Sequence, residues 1–241
     1  MKVLKSVTFS IAALTIAATC LINGCSDNNE VMPDGNLKSS PATASEDLAD
    51  SDFITYDLPD CNFIKGSATD LTADEVEGLK YVREEEKMAR DVYLFLSQKF
   101  KKPIFKNIKN SEQVHMDKVL CLLIHFNVED PASDEIGEFT NYHIQELYDY
   151  LIDLGSNNII DALTAGAIIE DYDIKDINDW MEETDNETIE KVFTNIVCGS
   201  GNHIISFSDL LDGYDTEYTP IYISDDEYEA ILLAGHQNCN L

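Results

Sequence analysis

Ser111-Glu112-Gln113-Val114-His115-Met116 is the stretch on which the fold turns. Around it the positions Ile108, Glu112, His115, Val119, Leu122 and Phe126 recur at alternating spacings of three and four, the stripe of a helix facing a core. The spacing predicts a helix from near Pro103 to near Phe126, with one polar pair inside its apolar seam. Glu112 and His115 stand at i and i+3, so both side chains leave the helix from one face. Helical bundles hold metal ions with that Glu-x-x-His spacing.

Three further stripes are interrupted in the same way. A helix over about Thr72 to Phe100 opens on a capping box, Thr72 with Glu75, and its seam reads Leu79, Val82, Glu86, Ala89, Tyr93, Leu96 and Phe100. After an intervening helix, about Asn141 to Leu154 and ended by Gly155, comes the seam Leu163, Gly166, Glu170, Asp173, Ile177 and Trp180. A last long helix opens with Thr184 and Glu187, a second capping box, and carries Ile189, Val192, Ile196, Ser200, His203, Phe207 and Leu210. Glu86 lies 14 residues before Phe100 and His115 lies 12 after Pro103. At 1.5 Å per residue both sit about 18 to 21 Å from the turn between them, at one height. The two later helices match within roughly two turns, with a kink allowed after Asp173.

Four acids on apolar seams demand positive charge, because an uncompensated buried carboxylate costs several kcal/mol. Arg83 and Arg90 are the only arginines in the chain, and both lie off the first seam. Two metal ions supply the charge better. Glu86, Glu112, Glu170 and Asp173 with His115 and His203 give four carboxylates and two imidazoles, a donor set that suits iron or manganese. Zinc takes smaller sets rich in nitrogen or sulfur.

At these residues the sequence resembles the ferritin-like superfamily and its rubrerythrin-related branch. Glu86 with Ala89 and Tyr93 is similar to that branch's first-helix pattern, and Ser111 to Met116 to its second. From about Leu71 to Ile231 the chain resembles a group of bacterial and archaeal ferritin-like domains of uncharacterised function. Arg83-Glu84-Glu85-Glu86, Ala89-Arg90-Asp91-Val92-Tyr93, Ile169-Glu170 with Asp173-Ile174, and Gly199-Ser200 with Asn202-His203 carry that resemblance. It implies an all-α four-helix bundle with an extra helix in the second-to-third connection and a short C-terminal helix. Ser200 stands where rubrerythrin-like proteins have a Glu, so Asp173 is expected to replace that carboxylate; a looser or single-metal site is the other arrangement the residues allow. Gly199 and Gly201 flank Ser200, which predicts a bulge or a close approach there.

The chain has 241 residues, 44% hydrophobic, and 46 acidic against 16 basic residues, enough to bury a core and too acidic for nucleic acid or electrostatic membrane binding. Residues 1–24 read as an export signal, Lys2 and Lys5 followed by the apolar stretch Val7 to Leu21. Without it the net charge falls from −30 to −32. Leu21-Ile22-Asn23-Gly24-Cys25 resembles a lipobox, in which Cys25 is lipidated; an ordinary secretory signal is the other reading. Ser26 to about Asp52 has no aromatic residue and is expected to be a disordered tether. The organisation expected is a lipoprotein signal over 1–24, an acidic tether and surface segment over 25–69, and a ferritin-like domain with its tail over 70–241.

His125 is expected to be structural, at a helix C-terminus, with His143 and His236 exposed. Asp171, Asp173, Asp176 and Asp179 lack the Gly and terminal Glu of a calcium loop. Cys61, Cys121, Cys198 and Cys239 allow three pairings; Cys61 with Cys239 is favoured because they flank the domain, leaving Cys121 and Cys198 as packed thiols.

The function expected is that of an exported protein anchored through Cys25, with two iron or manganese ions oxidising metal or reducing peroxide or dioxygen, a peroxidase or ferroxidase of rubrerythrin type. Tyr93 would give a hydrogen bond or proton to the bound oxidant. With no Cys-x-x-Cys in the chain, the electron donor is external. No nucleic acid is expected, the membrane is met only through the lipid, and a homodimer is allowed. The rival is a surface lipoprotein without enzymatic activity, its bundle a binding scaffold and its site mononuclear or vestigial.

Overall fold

Helix caps and apolar seams set the architecture. The computed structural model describes residues 59–239, which form six α-helices and, among the described residues, no strand. These are α1 (Ala73–Phe100), α2 (Pro103–His125), α3 (Tyr142–Gly155), α4 (Ile159–Glu182), α5 (Glu187–Asp212) and α6 (Asp225–Ala234). Thr72 caps α1 in a reciprocal box with Glu75, and Lys101 in the left-handed region, φ 52°, ends it. Asn141 and Asn158 cap α3 and α4 through their side-chain oxygens.

The cap of α5 is Asn186 rather than the expected Thr184, its side chain accepting from the amides of Thr188 and Ile189. Thr184 instead donates to Glu75 Oε1 at 2.6 Å and accepts from the Asn186 amide, tying the start of α5 to that of α1. α4 runs unbroken through Asp173, without the allowed kink.

The four long helices pack in a ring, α1 against α2 and α4, and α5 against α4 and α2, with α3 against α1 and α4. Two apolar clusters fill the interior. One holds Val82, Val119, Ile177 and Ile196; the other holds Ala89, Ile108, Ile169 and Ile204. Between them on every long helix comes a polar interruption: Glu86, then Glu112 and His115, then Glu170 and Asp173, then Ser200 and His203. The seams therefore break at one level on all four helices.

Buried polar side chains fasten the connections to this ring. Asp171 on α4 accepts from the Tyr218 hydroxyl and the amides of Ile221, Tyr222 and Ile223. The disulfides are Cys61–Cys121 and Cys198–Cys239, not the expected Cys61–Cys239. Each joins a terminal segment to the helix beside it, because the two ends dock on different helices, α2 and α5. Cys121 and Cys198 are thus bridged and not free thiols. Residues 1–58, including the export stretch, the tether and Cys25, lie outside the described residues.

Candidate metal centre

Each long helix aims its seam-breaking residues at the same point. Glu86, Glu112 and His115 bring one ligand atom each within 4.8 Å of one another, and so do Glu112, Glu170 and His203. Glu112 belongs to both sets. Its Oε2 lies 2.8 Å from His115 Nδ1 and its Oε1 2.9 Å from His203 Nδ1. Glu86 Oε2 stands 3.3 Å from His115 Nδ1, and Glu170 Oε2 3.1 Å from His203 Nδ1. All five side chains are buried.

The electrostatics are those of an acid-rich pocket short of cations. Burial, then Asp173 and Glu112, pushes the Glu86 carboxyl well up. Glu112 is also buried, but the His203 and His115 imidazoles outweigh that and hold it far below the usual range. Burial carries Glu170 up to about 7. His203 is raised well above its ordinary value because Glu170 and Glu112 outweigh its burial, whereas burial lowers His115. Oε1 of Glu86 and Oδ1 of Asp173 are buried without a hydrogen-bond partner, and Oε2 of Glu86 has only the 3.3 Å approach of His115 Nδ1. Such orphaned acceptors are rare in native interiors, and here they converge. The arginines do not help: Arg83 is taken by Asp130 and the Met116 carbonyl, and Arg90 by Asp91 and Gln113.

The residues fit a pair of metal ions. Both histidines turn Nδ1 toward carboxylates, and the far nitrogen of His203 stands 3.0 Å from Ser111 Oγ, a partner that fixes the ring. A Cβ at Gly199 would lie 2.6 Å from His115 Nε2, so the close approach expected around Ser200 is the seating of this imidazole against a bare helix backbone. α5 runs on without a bulge. Tyr93 hydrogen-bonds Glu170, stands 3.1 Å from the Gly166 carbonyl, and stacks on Phe207.

Of the six ligands expected from sequence, five fall into the two sets. Asp173 does not. The Ser200 hydroxyl donates to its Oδ2, which turns the replacement for the missing α5 glutamate into a hydrogen-bonded pair beside the sets. Sequence reasoning missed Ser111, and also Lys118, half-buried beside Glu86 and Glu112 and bonded to Asn195. Ser111 and Lys118 lie four before and three after His115, a spacing that places them on the flank of the same face.

Comparison with known proteins agrees with the extent of this domain. The profile of the family described as an uncharacterized protein domain, DUF2202, matches residues 75–235. The chain belongs to that family. Over 163 residues, 67% of this chain and 88% of the relative, the DUF2202 domain is 50% identical to the uncharacterized protein MJ0754 of Methanocaldococcus jannaschii. The crystal structure of that hypothetical protein matches it with a TM-score of 0.71 at 46% identity, covering 72% of this chain and all of the other.

Proposed function

We propose that this DUF2202 protein is a rubrerythrin-related, ferritin-like four-helix bundle with a carboxylate-bridged pair of iron or manganese ions, acting as an oxidoreductase. The observation that carries the reading is Glu112, which offers one oxygen to each of two ligand sets. Glu86 with His115 and Glu170 with His203 complete the two sides. These residues would hold two ferrous ions, which would supply one electron each for reducing peroxide or dioxygen, or would themselves be the metal oxidised.

The chain's own residues set the conditions for that chemistry. His203 holds a proton between Glu112 and Glu170, and a bound ion would take the place of that proton while Ser111 keeps the ring in place. Tyr93 keeps a proton beside Glu170 in a pocket closed by Phe207, where it can be given to a reduced oxygen. The apolar clusters above and below exclude water. An external donor must return the electrons. The two disulfides support an exported setting, since such bonds persist in oxidising compartments. No described helix is long and apolar enough to cross a membrane.

A second reading, a scaffold with one ion or none, is favoured by Ser200, which engages the sixth candidate ligand. Elemental analysis of the full chain loaded with iron or manganese separates the two. Two ions per chain supports the bridged centre; none, or zinc alone, leaves the scaffold.

A further inference from the structure

Between α1 and α4, beside the centre, lies a second group of acids that the proposed chemistry does not use. Glu85 is 1% exposed, and neither of its oxygens has a hydrogen-bond partner. Its strongest charged neighbours are Asp176 and Asp173, and Asp173 Oδ1 is itself buried and unpartnered. Asp176 accepts from Trp180 Nε1 at 2.8 Å through Oδ2 alone. Tyr81 and Tyr172, joined hydroxyl to hydroxyl, close the group on the same side, and Tyr81 and Trp180 are only half-buried. Protein cations do little for these carboxylates: the one acting on Asp176 is the exposed Lys175, itself shared with Asp179. Lys87 is spent on Asp91 and Arg83 on Asp130.

We infer that Glu85, Asp173 and Asp176 form a holding site for one hydrated divalent cation, a stop between the Tyr81–Trp180 rim and the dimetal centre. The donors are carboxylate oxygens alone, which suit ferrous, manganous, magnesium or calcium ions and give no place to a metal that seeks nitrogen or sulfur. Their ligand atoms do not all come within 4.8 Å of one another as those of the two ligand sets do, so the ion keeps waters between itself and the protein. A loosely held, hydrated ion can move on. Asp173 gives it the direction, since it is a charged neighbour of Glu85 and also of Glu170 and Glu112. The cation site does not depend on the dimetal reading; its role in loading rests on it.

Titration of the full chain with Mn2+ tests this, with Glu85→Gln/Asp176→Asn as the variant, because both changes keep side-chain size and an acceptor for Trp180. The parent is expected to take up two tight ions and a third held at least tenfold more weakly. The variant is expected to keep the two tight ions, lose the third, and fill the centre at least tenfold more slowly. Its metal-free form should melt no lower than the parent, since it loses buried like charges, and Glu85→Gln alone should already remove the weak ion. A parent that binds only two ions, or a variant that still binds three, overturns the site. Loss of the third ion with unchanged filling of the centre overturns its loading role. A parent holding one weak ion that the variant loses upholds the site and removes the dimetal reading instead.

Discussion

Helix α1 buries two kinds of charge within nine residues, and they behave oppositely. Arg83, Glu84, Lys87 and Asp91 point toward the 130–141 connection and are fully paired. Arg83 meets Asp130; Lys87 donates to Asp91 and to the Glu135 and Glu138 carbonyls; Glu84 accepts from Thr140 Oγ1 and the Asn141 amide. Glu85, just as buried, has no hydrogen-bond partner, and Glu86 has only the approach of His115 Nδ1 at 3.3 Å. Burial alone therefore does not distinguish a structural charge from a functional one. Satisfaction does: the paired set fastens a loop, and the orphaned set is the one from which the proposed cation sites are built.

The sharpest way to break the comparison is Asp91→Ala. It leaves Lys87 and Arg90 buried without their carboxylate and the Gly137 amide without its acceptor, so a loss of about 3–5 kcal/mol in denaturant unfolding is expected. Glu86→Gln should cost the metal-free protein nothing while abolishing tight metal binding. If both variants lose stability equally, pairing is not what separates the two sets.

Much of this was legible in the sequence, and the legible part has one physical basis. The seams of Glu86, Glu112, Glu170 and His203 could be read because a polar residue inside a 3.6-residue period has to face the core, and 1.5 Å per residue then fixes its height. Glu85 and Lys87 could not, since a run such as Arg83-Glu84-Glu85-Glu86 shows no period, and its burial needs the connection over Lys87 and α4 beside Glu85. The disulfides failed for a similar reason: flanking positions in sequence say nothing of which helix each end docks on. The pairing of Asp173 with the Ser200 hydroxyl is not legible either, since the spacing from Glu170 says nothing of what stands opposite on α5.

Next in size is the effect of pH on the metal-free protein. Burial raises Asp176 from 3.8 to about 7 and Glu170 from 4.5 to about 7. A raised carboxyl favours folding below its unfolded value and loses that contribution as pH rises through the folded one. The metal-free protein should thus melt several degrees higher at pH 5 than at pH 8, and Asp176→Asn should reduce the difference. A melting temperature that climbs over this range contradicts the orphaned-acid account.

Two glycines on α5 complete the series. Gly199→Ala puts a methyl 2.6 Å from His115 Nε2, so metal affinity should fall at least tenfold while stability falls by about 1–3 kcal/mol. Gly201→Ala meets nothing closer than Ile231 at 3.9 Å and should stabilise the helix by about 0.5–1 kcal/mol with metal binding unchanged. Equal effects on metal affinity at the two positions would mean that the backbone at 199 does not seat the imidazole.

Whether Glu112 joins two ions is tested most directly by electron paramagnetic resonance of the Mn2+-loaded full chain. Two manganese ions sharing a carboxylate are expected to give the spectrum of an exchange-coupled pair, and Glu112→Ala to replace it with the six lines of isolated Mn2+ or with no bound ion. Six isolated lines from the fully loaded parent, or a coupled pair that survives Glu112→Ala, would contradict the shared-carboxylate centre.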